Sequence, residues 1–126
     1  MDLNQVTIPA KDVALSVKFY QNLGLKLIVD ALPRYVRFEC PIGNSTFSIH
    51  QADTSENKNG ITLYFEVKSV EEVVANLKAK GVNFDSEIVE ESWLWKEIRL
   101  SDPDQNQIKI YHAGKNRKSP PWRIKD

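Results

Sequence analysis

Cysteine is nearly missing from this 126-residue chain, where Cys40 stands alone. That excludes an intrachain disulfide, a CxxC redox pair and a cysteine-rich zinc site, and it reads as an intracellular chain. An excess of either charge is missing too. Lys and Arg number 17 and Asp and Glu number 17, so no basic field exists to hold a phosphate backbone, and nucleic acid is not an expected partner. No apolar run approaches the ~20 residues that cross a bilayer. The stretch MDLNQVTIPAKD lacks a basic start followed by an apolar segment, so a soluble, cytoplasmic protein without a membrane partner is expected.

What is present is an ordinary globular composition, 41% hydrophobic and 27% charged, in a length that suits one compact domain with a real core. An internal repeat organises it. QVTIPAKDVALSVKFYQNLGLKL from Gln5 lies without a gap on TLYFEVKSVEEVVANLKAKGVNF from Thr62. Val6 and Ile8 alternate with Gln5 and Thr7, as Leu63, Phe65 and Val67 alternate with Thr62, Tyr64 and Glu66, and both segments read as half-buried strands. Asp12 and Ser69 are candidate N-caps. After them Val13, Val17 and Tyr20, and then Val70, Val73, Val74 and Leu77, form helical apolar stripes that end at Gly24 and Gly81. Three further strands are expected after each helix: Leu25–Asp30, Tyr35–Cys40 and Thr46–Gln51, then Val82–Val89, Trp93–Leu100 and Gln107–His112. TFSIHQA from Thr46 lies on QIKIYHA from Gln107 at a slightly longer offset, a change that loops absorb.

The fold expected is α+β, two βαβββ modules at about residues 3–52 and 61–112. Their curved, mostly antiparallel sheets would enclose a cavity, with the helices outside. Residues 1–112 then form a single domain and 113–126 a C-terminal tail.

With FYQNLGLKL after the first helix start, SVEEVVANLKAKGV in the second module and DPDQNQIKIY near the end, the chain resembles the vicinal oxygen chelate superfamily. That group includes glyoxalase I, extradiol dioxygenases, fosfomycin-resistance enzymes and bleomycin-resistance proteins, and the resemblance spans about residues 3 to 112. It implies a metal held by His, Glu or Gln at four places, and here Gln5, Ser48, Thr62 and Lys109 occupy them. A protonated lysine has no lone pair and repels a cation, and neutral hydroxyls bind divalent ions weakly, so of the four only Gln5 suits a metal. Without the ion its Lewis-acid contribution is lost. No metal and no cofactor are expected. His50, on the strand parity of Ser48, is the remaining candidate ligand, although a packing or hydrogen-bonding role is the better reading for a lone histidine. His112 falls on the other parity.

Strand parity gathers Gln5, Arg37, Ser48, His50, Thr62, Tyr64, Trp95, Arg99, Lys109 and Tyr111 as expected ligand-binding residues, a set suited to a small aromatic or anionic molecule. The plainer reading is that Glu39, Glu66 and Glu97 neutralise these cations in ordinary cross-strand pairs. Glu97, His50 and Lys109 are the candidates for acid–base chemistry. Ser48 and Cys40 lack the partners of a nucleophile. The first functional reading is therefore a metal-free binding protein like the bleomycin-resistance proteins. The alternative is a metal-dependent lyase, isomerase or dioxygenase using Gln5 and His50. The resemblance also implies a homodimer, and Pro120 and Pro121 before Trp122 point to an extended tail that either docks its tryptophan or stays disordered.

Overall fold

A computed structural model describes residues 2–53 and 61–124. The first module runs β1 (Gln5–Ala10), α1 (Val13–Asn22), β2 (Lys26–Ala31), β3 (Tyr35–Glu39) and β4 (Thr46–Gln51). The second runs β5 (Thr62–Glu66), α2 (Val70–Ala79), β6 (Val89–Glu90), β7 (Lys96–Ser101) and β8 (Gln107–His112), and a 3-10 turn at Gly114–Arg117 follows. Each module forms its own four-stranded sheet, ordered β1-β4-β3-β2 and β5-β8-β7-β6. The first strand of each lies parallel to the last, and the other neighbours are antiparallel. The α+β class and the βαβββ repeat are as the sequence implies. The chain divides into two compact units, and the loop Asp102–Asn106 belongs with the first. Among the described residues no helix is long and apolar enough to cross a membrane.

Both helices start and stop by the same devices. Asp12 accepts from the Leu15 amide at 3.1 Å, and Ser69 from the Glu72 amide at 3.2 Å, each satisfying an orphan donor of the first turn. At the far ends Gly24 (φ 101) and Gly81 (φ 86) adopt the left-handed conformation. Leu25 and Val82 then return their amides to the Tyr20 and Leu77 carbonyls at 3.1 and 3.0 Å. This closure holds Leu25, so the strand expected from Leu25 begins at Lys26.

In the first unit Val13, Val17 and Tyr20 of α1 are buried, as are Ile8, Val36, Phe38, Phe47 and Ile49. The Tyr20 ring centroid lies 4.7 Å from that of Phe47. In the second, Val70, Val74 and Leu77 of α2 are buried, and so are Leu63, Ile98, Leu100, Ile108 and Ile110. Alternate strand residues face the other way and compose each sheet's polar face.

Two expected strands differ. The segment from Val82 to Val89 keeps only Val89–Glu90 as strand. Asp85 N–H still reaches the Arg99 carbonyl at 2.8 Å, but the Arg99 amide goes to the Ser86 hydroxyl at 3.0 Å, so a side chain replaces the ladder. The strand expected from Trp93 begins at Lys96, because Leu94 turns at φ 69 and donates its amide to the Glu91 carbonyl.

Candidate functional site

On the first sheet's polar face, register sets Thr7 beside Ser48 and Ser48 beside Arg37, with Gln5 beside Thr46. Ser48 is fully buried and shares a hydrogen bond with Thr7. Arg37 Nε donates to the Tyr35 hydroxyl at 2.9 Å. The Ser48 hydrogen bond foremost, against slight burial, together with Arg37, holds the Tyr35 phenol below its ordinary value. Thr7 and Tyr35 escape the sequence reading, although each shares strand parity with a residue it singles out. Gln5 accepts from the Thr46 hydroxyl at 2.8 Å. His50 is exposed near the end of β4, with Nδ1 3.2 Å from the Gln51 carbonyl. Burial pushes the Cys40 thiol up, which disfavours a reactive thiolate.

The second sheet's polar face brings more of the expected residues together. Tyr64, Lys109 and Arg99 form one lateral row across β5, β8 and β7, and Glu66, Tyr111 and Glu97 form the next. Thr62 stands beside Gln107 at the far end. Trp95 stacks on Tyr111 with centroids 4.7 Å apart and planes 17° from parallel. The Tyr64 ring meets Tyr111 edge-on at 5.6 Å and Trp95 edge-on at 6.0 Å. These are favoured aromatic geometries. Lys109 Nζ lies 3.3 Å from Glu97 Oε2 and 5.6 Å from the Tyr64 ring centroid. Their side chains are only 18% and 7% exposed, so this ion pair is largely screened from water. Even so, Glu97 Oε2 has no hydrogen-bond partner, because the ammonium approaches it without the required angle. Tyr64 and Arg99 are exposed, and Trp95 and Lys109 half-buried, so solvent reaches this face along the Tyr64–Lys109–Arg99 row.

The expected neutralising pairs form in part. Glu97 meets Lys109, while Glu39 meets Lys26 at 3.8 Å in an exposed pair that leaves Arg37 to Tyr35. Glu66 turns to the strand end and accepts from the Ala113 and Gly114 amides, each at 2.9 Å. Burial opposes its ionisation, but those two donors, with His112 and Arg117 nearby, hold its carboxyl below the usual range. Burial first, then the Glu66 charge, pushes the Tyr111 phenol up. His112 lies on the other parity, as expected, with Nδ1 2.8 Å from the Val67 carbonyl. Trp95 Nε1 donates to the Asn116 carbonyl at 3.4 Å and so ties the start of the tail to this face. Trp122 is 58% exposed.

The DPDQN segment is an anchor. Asp102 Oδ1 accepts from the Asp104 and Asn106 amides at 2.9 and 2.8 Å, and Oδ2 accepts from the Asn106 side chain at 2.8 Å and the Tyr20 hydroxyl at 2.6 Å. Asp104 accepts from the Lys11 amide and the Ser16 hydroxyl. Burial foremost, and then Asp102, pushes the Tyr20 phenol far up, so it stays a neutral donor. Depressions also occur in each unit. One of about 530 Å³ lies at the start of α1 by Lys11, Asp12, Pro33 and Pro103, and one of about 500 Å³ lies by Glu91, Leu94, Trp95 and His112.

A divalent metal does not fit the four expected places. Gln5 spends its amide oxygen on Thr46, Ser48 is buried against Thr7, and Lys109 is a cation already paired with Glu97. Among the described residues no three His, Cys, Asp or Glu side chains gather to hold an ion.

Residues 3–113 match the family model described as a glyoxalase-like domain. A glyoxalase/bleomycin resistance protein/dioxygenase from Nocardioides superposes with TM-score 0.77 at 17% identity, over 99% of this chain and 90% of that one. Lactoylglutathione lyase from Agrobacterium tumefaciens gives 0.72 at 14% identity, over 98% and 97%. A bleomycin-binding protein complexed with bleomycin gives 0.71 at 13% identity, over 89% and 98%. At such identities these likenesses show the fold alone. Comparison with curated proteins returns no match.

Proposed function

The chain belongs to the glyoxalase-like domain family, and we propose that it is a metal-free member that holds a small planar organic molecule on the polar face of its second sheet. The observation that carries this reading is the packing of Trp95, Tyr111 and Tyr64 beside the Lys109–Glu97 pair. Clustered rings offer apolar contact at little conformational cost, and a few polar groups set orientation. An aromatic ligand is favoured over a simple anion, because Lys109, the part-buried cation beside the rings, is already neutralised by Glu97. The bleomycin-binding neighbour shows that this fold accommodates an organic ligand in another protein.

The test is a tryptophan-fluorescence titration with fused-ring aromatics, with and without EDTA, on the natural sequence and on Trp95→Phe. Saturable binding that survives EDTA and weakens about tenfold or more in the variant is expected for a stacking anchor. Binding abolished by EDTA overturns the metal-free reading, and no saturation with any ring overturns the binding reading. We also propose that the protein works in the cytoplasm as a homodimer. Exposed Leu3 and Val6 at and beside the edge strand β1 support self-association. Sedimentation of a single monomeric species at working concentration would refute the dimer.

A further inference from the structure

We infer that the molecule held on this face presents an uncharged edge with a hydrogen-bond donor beside an acceptor, as in a heteroaromatic lactam, and that Glu97 and Lys109 read it. This rests on the small-molecule reading above and goes further by naming the polar chemistry. Glu97 Oε2 is the one buried side-chain polar atom among the described residues with no hydrogen-bond partner. Leaving a buried acceptor unmade is costly, and native proteins leave few such atoms without a reason. Here the orphan lies on the face that carries the three clustered rings, next to a lysine.

Lys109 supplies charge to that oxygen at 3.3 Å but not a directed bond. Its four-carbon stem is flexible, and its ammonium already lies 5.6 Å from the Tyr64 ring centroid while paired with Glu97, so a small shift toward the ring keeps a favourable contact. With the ammonium turned toward Tyr64, a ligand N–H can take the vacated direction to Oε2 as a charge-assisted bond. The same ammonium then donates to an adjacent ligand carbonyl. The pair has no net charge, so an anion would face the buried carboxylate and a cation would face the ammonium. A dipolar, uncharged edge meets both groups with the correct sign.

The experiment compares quinolinone bearing a free N–H, its N-methyl derivative and its ring C-methyl isomer as a size control, each titrated against the full chain by tryptophan fluorescence. The N–H probe and the C-methyl isomer should bind about tenfold tighter than the N-methyl probe, as expected for one buried charge-assisted hydrogen bond. In Glu97→Gln, which replaces the carboxylate by a weaker neutral acceptor, that preference should fall severalfold, with circular dichroism and melting confirming the fold. Equal binding of all three probes to the natural sequence overturns the donor inference and leaves the aromatic-binding reading standing. A preference undiminished in a folded Glu97→Gln also overturns it. Failure of every probe, together with every fused-ring aromatic tried, overturns both.

Discussion

Lys109 takes the place where the family resemblance leads one to expect a metal-binding carboxylate, and its partner Glu97 is more deeply buried than itself. Removing one member of such a pair strands the other charge, which typically costs about 3–5 kcal/mol, whereas removing both costs much less. Lys109→Met should therefore lower stability to urea by about 3 kcal/mol, discounted somewhat because the lysine is part-exposed. Adding Glu97→Gln should recover most of that loss, and a double variant no more stable than Lys109→Met would show that the pair is not what matters. Glu66 gives a pH prediction. Its carboxyl is held below the ordinary range in the fold, so its contribution is fully present above the unfolded value near ~4.3 and is lost as pH falls through the lower folded value. Glu66→Gln should flatten the acid limb of the stability–pH curve, and an unchanged limb would refute the role given to Glu66. Parity alone places Glu97, Lys109, Tyr64 and Tyr111 on one face. It does not reveal that Lys109 reaches diagonally to Glu97 while missing hydrogen-bond geometry, because that depends on rotamers.

Among the elements, the loop Asp102–Asn106 stands out. Aspartates in a short connection between strands are ordinarily solvent-facing turn residues. In the structure Asp102, Asp104 and Asn106 are buried, and they tie the loop to the start and middle of α1 through Lys11, Ser16 and Tyr20. Tyr20→Phe keeps the ring packing and removes one donor to a buried carboxylate. It should cost about 1.5–3 kcal/mol of unfolding free energy, the range for hydrogen bonds to charged groups. A change under about 0.5 kcal/mol would mean the bond is dispensable, as most surface substitutions are. The helices were legible because caps, stripes and glycine stops agree at every position. The stretch from Val82 to Val89 was misread for the opposite reason: its alternation is real, but Ser86 competes for the Arg99 amide.

For the molecule as a whole, the repeat carried the fold reading, since each copy encodes the same strand, cap, helix and glycine stop. The repeat is silent about chemistry, because the two copies share their apolar positions and differ in polar ones. Ser48 is the repeat mate of Lys109 and Gln5 of Thr62, and neither pair supplies two side chains that suit a divalent ion. A resident divalent ion would have to be held by such residues, and one bound at a hundredfold excess over its Kd would add about 2.7 kcal/mol to stability. For a chain of this size that is a rise of several degrees in Tm. Incubation with nickel, zinc, manganese or ferrous iron should instead leave Tm within about 1 °C of the EDTA-treated protein. A saturable rise with stoichiometric metal by elemental analysis would show that the side chains rearrange around an ion. It would transfer the site from ring stacking to Lewis-acid chemistry.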